Sequence, residues 1–144
     1  MSNATKTEDP ADFRIPVVRH FIACERIDTV ASSKQYSLID VIHAIKPFPG
    51  AAYPRIHPQL CLFAQMTNGR GSHSFQVQRV FLDDESTNTS KAVILDMGTD
   101  PLIVHGWPIL LKNVFFQRPG LYEFRLVCDA QVIAKEPIIL RENP

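Results

Sequence analysis

Pro119-Gly120-Leu121-Tyr122-Glu123-Phe124-Arg125-Leu126-Val127-Cys128-Asp129-Ala130-Gln131-Val132-Ile133-Ala134, closed by Pro137-Ile138-Ile139-Leu140, is the stretch whose reading decides the fold. It opens on a turn dipeptide and alternates on a period of two. It reverses at a polar pair and runs out again as apolar residues. That pattern is a β-hairpin, with Tyr122, Phe124, Leu126 and Cys128 expected on the core face. A hairpin turn of two residues favours Gly at its second position, where φ is positive. Ala130 in that place puts a type I′ turn in doubt.

Outward from this hairpin the same alternation recurs. Residues 17–24 form a mostly two-sided apolar strand, and residues 25–35 are polar and turn-like. Residues 36–45 carry both a helical stripe (Leu38, Val41, Ile42, Ile45) and a strand-like content of Ile and Val, and the strand reading is favoured. Four prolines between 47 and 58 predict an extended loop or edge. Residues 59–67 read as a clear strand, and Asn68-Gly69-Arg70-Gly71 as a hairpin turn. Residues 74–82 return as a strand. There Phe75 and Val77 are out of phase with Val80 and Leu82, which predicts a bulge near Gln78-Arg79, or a regular strand through Arg79 and Phe81. Residues 83–90 form a polar connection, and residues 91–97 and 109–115 are further strands, with a bend at Gly106 and Pro108. Turn signals every ~8–12 residues mean an all-β, antiparallel two-sheet sandwich of about eight strands.

Composition sets the outer bounds. The chain has 144 residues, enough for one domain with its own core, and 45% are hydrophobic. Residues 1–12 are polar, without period, and are expected to be a disordered tail; residues 13–144 form a single domain. Fifteen basic and fifteen acidic side chains give zero formal charge. Nucleic-acid binding draws its affinity from phosphate neutralisation and shows a basic excess, so no nucleic-acid partner is expected. No polybasic segment or ~20-residue apolar run suggests a membrane. With no signal-peptide pattern and an odd number of cysteines, the expected location is cytoplasmic, with Cys24, Cys61 and Cys128 as buried, inert thiols. Asn88-Thr89-Ser90 then carries no glycan and reads as a polar turn.

Candidate chemistry is sparse. His20, His43, His57, His73 and His105 are scattered, with no ligand spacing. Asp83, Asp84 and Glu85 are the alternative metal site: carboxylates on a sandwich loop are what calcium modules of C2 type use, though the spaced Asp-x-Asp pairs are absent. No nucleophile elbow or phosphate loop occurs, so no catalytic residue, cofactor or enzyme activity is assigned. Phe48, Tyr53 and Arg55 on the proline-rich loop, with Trp107 beside two bend residues, are the residue types of interface hot spots and are the candidate partner-binding set. Against this stands the reading that Phe48, Tyr53 and Trp107 cap the ends of the core.

At Pro119-Gly120-Leu121-Tyr122-Glu123-Phe124 the sequence resembles the corner of immunoglobulin-like sandwiches, where a Tyr ties its hydroxyl to the backbone. Phe124 stands where the immunoglobulin cysteine would, so no inter-sheet disulfide is expected between Cys61 and Cys128. Phe21-Ile22-Ala23-Cys24-Glu25, Tyr36-Ser37-Leu38-Ile39-Asp40-Val41, Phe48-Pro49, Pro54-Arg55-Ile56-His57-Pro58 and the terminal hairpin together resemble a family of uncharacterised bacterial, planctomycete-type β-sandwich domains. The resemblance implies an immunoglobulin-like general architecture in a small cytoplasmic domain without assigned activity. In that family the hairpin pair is usually Asp-Gly. The resulting expectation is a non-enzymatic binding or scaffolding domain, with an unknown protein partner or self-association. A loop-end ligand or calcium module is the alternative and an uncharacterised enzyme the third reading.

Overall fold

The computed structural model describes residues 13–30, 35–45 and 52–142, and among these it has ten strands in two sheets and no helix. The first sheet is ordered β2 (Gln35–Val41), β1 (Val17–Val30), β4 (Arg55–Thr67), β8 (His105–Phe116). The second is ordered β3 (Ala44–Ile45), β10 (Gln131–Leu140), β9 (Gly120–Cys128), β5 (Ser72–Phe81), β6 (Ser86–Thr89), with β7 (Val93–Asp96) also pairing β5. No helix among these residues is long and apolar enough to cross a membrane. The expected tail at residues 1–12 lies outside the described residues.

The excess over about eight strands has two sources. The 83–90 connection holds β6, whose polar, fully exposed residues give no alternation to read. Residues 36–45 are extended, as favoured, but divide at Ile42-His43: β2 stays with β1, and the chain then crosses to the second sheet. Arriving from the other sheet, β3 runs parallel to β10, a local exception to the antiparallel plan. Gly106 and Pro108 lie within β8 instead of bending the chain before it. Strand β8 is an edge, and on an edge a Pro need not remove a ladder bond. Of the two readings of residues 74–82, the regular strand through Arg79 and Phe81 holds and the bulge does not: β5 pairs β9 without a break from Phe75↔Cys128 to Phe81↔Tyr122.

The sheets meet across one core. Leu60, Leu62, Ala64, Met66 and Phe116 from the first face Phe75, Phe124, Leu126 and Ile138 from the second. Burying each large side chain contributes about 1.5–3 kcal/mol. The predicted face Tyr122, Phe124, Leu126 and Cys128 is buried throughout. The Tyr122 hydroxyl donates to Arg118 O at 2.7 Å, closing the corner before β9. The three described cysteines are free and buried.

Two departures from regular pairing shape the surface. Strand β1 pairs β4 only as far as Cys24↔Cys61, while its hairpin with β2 continues to Val30↔Gln35. Its far half lies over the outer side of β4 and β8. There the Tyr36 ring sits 4.9 Å from Phe63, and its hydroxyl donates to Gly106 O at 3.2 Å. This covers Cys61 and Phe63, which alternate with the core residues of β4 and would otherwise face water. A Cβ on Gly106 would lie 2.5 Å from Tyr36, so this approach needs glycine.

The second departure is opposite Pro58, where Asn113 has φ 54. The β4–β8 register continues through this point, but the faces exchange. Leu60 is in the core, yet Ile56, two pleats on, is exposed with its partner Phe115. His57 and Arg55 instead share the side of their partners Val114 and Phe116, which are buried. A polar pair is thereby turned inward at the end of the sheet.

Candidate functional site

The bend of β1 at Glu25, the β2-to-β3 crossing and the re-phased start of β4 enclose a groove of about 610 Å³. Val41, Ile42, Ala44, Ile45 and Pro58 supply apolar surface; Glu25, Asp40, His43, Arg55, His57 and Gln59 supply polar groups. Arg55 Nη1 and both ring nitrogens of His57 are buried and have no hydrogen-bond partner. Glu25 Oε2 is 4.0 Å from His57 Nε2, beyond hydrogen-bond reach. Burial pushes the His57 pKa down; Glu25 opposes this and Arg55 adds to it. Buried polar groups are almost always satisfied, and each unmet one costs about 1–3 kcal/mol. Three unmet nitrogens on one wall, with carboxylates nearby and apolar surface between, are the features of a binding site.

A second cluster has the opposite character. His73, Cys128 and Asp129 are, among the described residues, the one set of three potential ligands whose donor atoms lie within 4.8 Å of one another. His73 Nδ1 is 2.6 Å from Asp129 Oδ2 and its Nε2 is 2.7 Å from Arg70 O. Both partners, a carboxylate and a carbonyl, are hydrogen-bond acceptors. Asp129 Oδ1 accepts from the Ser74 amide at 2.9 Å. Burial pushes the Asp129 carboxyl up, but the bonds from His73 and Ser74 outweigh it and hold it below the usual range. Burial raises the Cys128 thiol to about 12, and the thiol bonds to Asp129, not to the ring. A nucleophilic cysteine needs a lowered pKa, and here, although an imidazole is near, burial and Asp129 raise it. This cluster joins the β9–β10 turn to the β4–β5 turn.

The candidates drawn from the sequence are dispersed. Arg55 lies on the groove. Tyr53 is half-buried against the core, with its hydroxyl donating to Arg141 O at 2.7 Å. Trp107 is also half-buried, edge-on to Phe75 at 5.6 Å, so its ring caps the core. Phe48 lies outside the described residues. Trp107 pairs Ala64 and Phe116 pairs Arg55, nine positions apart along β8, or about 30 Å. Arg55 and Trp107 therefore belong to different ends of the sheet. Asp83, Asp84 and Glu85 are not gathered into a ligand set: Asp84 pairs with Arg118, and its Oδ1 accepts from the Ser86 amide at 2.9 Å. Hydrogen bonds from Ser86, followed by Arg118, lower the Asp84 pKa.

In the sequence His57 falls on the proline-rich segment that reads as an extended loop or edge, and it counts only among five scattered histidines. Its adjacency to Pro58 was the available signal, since a proline inside a strand marks an edge or an irregularity.

No curated protein matches the chain. Among solved structures, the chain is similar in fold to part of the Pseudomonas fluorescens alkylpurine DNA glycosylase AlkC bound to DNA containing an abasic site analog, with a TM-score of 0.53 and 9% identity. That match covers 88% of this chain and 30% of the length of the other, and it shows the fold alone. The model of a family of unknown function, DUF6941, matches residues 20–141, and the chain belongs to that family.

Proposed function

We propose that this domain is a non-enzymatic binding or scaffolding unit, immunoglobulin-like in general layout, that receives an extended segment of a partner protein in the groove beside Arg55 and His57. The observation that carries this reading is the trio of buried, unpartnered nitrogens on the groove wall. A polypeptide main chain offers alternating acceptors and donors. Its carbonyls would accept from Arg55, and its amides would find acceptors in Glu25, Asp40 and the free lone pair of the His57 ring. The apolar wall from Val41 to Ile45 would take the intervening side chains.

The test is selection of displayed random peptides on the immobilised full chain, followed by affinity measurement with the doubly substituted Arg55→Met, His57→Leu protein. Enriched peptides should bind the substituted protein at least about tenfold more weakly, the equivalent of ~1.4 kcal/mol. Amide NMR shifts should concentrate at Glu25, residues 40–45 and residues 55–59. Absence of enrichment, or shifts confined to another face, would overturn the reading.

A further inference from the structure

We propose that the opening between β8 and β5–β6 is a binding site for a small oxyanion, a phosphate or carboxylate group, held by the guanidinium of Arg79. It is separate from the Arg55–His57 groove and does not depend on the reading of that groove.

Strand β5 pairs β9 without interruption, so its period of two is preserved. His73, Phe75, Val77 and Phe81 occupy the inward positions and are buried. Arg79 occupies the remaining inward position, between Val77 and Phe81 and opposite the buried Phe124. A charged side chain thus stands in the layer between the sheets. Its guanidinium lies 5.6 Å from the centroid of the Phe116 ring. Among the described residues no carboxylate pairs with it. Burial pushes its pKa down, the direction expected of a cation without a counter-charge. A cation–π contact offsets only part of the cost of desolvating an ion.

The surroundings fit an anion. On one side of Arg79 and Asn88 is a cleft of about 200 Å³, also lined by Asp84, Ser86, Thr87, Gln117 and Arg118. On the other is a cleft of about 240 Å³, also lined by Ser90, Lys112 and Asn113. Asp84 is the one carboxylate in either lining, and it is already engaged by Arg118 and the Ser86 amide. Arg79 and Lys112 therefore face the opening without compensation. Hydroxyl and amide side chains around them can complete the coordination of an oxyanion. Each cleft is of a size for a phosphate or a small organic acid, not a folded partner.

The experiment is thermal unfolding of the full chain in a series of inorganic phosphate or succinate concentrations, with sodium chloride at matched ionic strength. The expected result is a saturable rise in midpoint, about 4 °C at ten times the dissociation constant, with at least one of the two anions. Whichever anion gives it identifies the group recognised. Arg79→Leu should fold, because it replaces an uncompensated charge by an apolar side chain, and its anion-dependent rise should vanish. Lys112→Ala should weaken binding by several-fold. A rise equal to that in chloride, no rise with either anion, or an undiminished rise in Arg79→Leu would overturn the proposal.

Discussion

His73 and His57 are both largely buried, and they sit at opposite ends of the molecule in opposite conditions. At the β4–β5 and β9–β10 turns, both nitrogens of His73 have acceptors within 2.7 Å. At the start of β4, neither nitrogen of His57 has a partner. The first arrangement is closed: its hydrogen bonds end on a carboxylate and a carbonyl within the chain, and a ligand would have to break them. The second leaves donor and acceptor capacity unmet on side chains that line a groove. Burial of a titratable group therefore does not mark function by itself; the bonds left unmade distinguish a brace from a receptor.

The largest expected effect comes from breaking the brace. His73→Leu leaves the Arg70 carbonyl and the Asp129 carboxylate without their donor, and should lower stability by about 3 kcal/mol in urea denaturation. The change should also flatten the acid limb of the stability curve. Asp129 has a folded-state pKa held below its unfolded value of ~3.9, so its contribution is present above that pH and is lost as pH falls through the lower folded value. Without His73 that loss should shrink. An unchanged acid limb would separate the pair from stability and break the contrast with His57.

A smaller effect should come from the turn that the brace holds. Asp129 and Ala130 have φ values of 48 and 67, and Gln131 pairs Cys128, so a two-residue turn of the I′ kind forms although its second residue is not glycine. An alanine in this region is strained by about 1–2 kcal/mol. Ala130→Gly should gain about 1 kcal/mol, part of the relieved strain being offset by the greater freedom of glycine in the unfolded chain. Made on the His73→Leu background, the same substitution tests whether the bonds to Asp129 are what hold the strained turn. Additive effects would show that turn and brace act separately.

These elements differ in how far they were legible. The first strand of the terminal hairpin was readable because its face from Tyr122 to Cys128 is buried along its whole length, which imposes a period of two; β10 breaks that period at a register shift between Val132 and Ala134. Its corner was readable through the resemblance of Pro119 to Phe124 to an immunoglobulin-like corner, and the Tyr122 hydroxyl does bond back to the Arg118 carbonyl. The I′ turn was not, because local propensity argues against Ala130 and the compensation comes from His73 and Ser74, more than fifty residues away. Strand β6 was missed because it buries nothing. In β5 the apolar Val80 points to a bulge, whereas the inward place is held by Arg79 beside the Phe116 ring. The groove was the least legible of all. Pro58 advertised an irregularity, but only the cross-strand pairing with a left-handed Asn113 shows that both strands change faces there. Residue type alone therefore points to Arg55, and nothing in the local alternation points to His57.

The smallest expected effect belongs to His57, and its sign carries the comparison. Burial lowers its folded-state pKa below the ~6.5 of the unfolded chain. Between those two values the unfolded state binds the proton and the folded state does not. The His57-dependent part of stability is therefore fully present above about pH 6.5 and is lost as pH falls through the folded value. His57→Leu removes that loss. Near pH 8 it should change stability by no more than about 1 kcal/mol, since an unmet polar group is being exchanged for an apolar one. Below pH 6 the substituted protein should be the more stable of the two. Denaturant titrations at pH 8 and pH 5.5 decide it: a large loss at pH 8 would mean that His57 has internal partners after all, and the groove wall would then be a second brace.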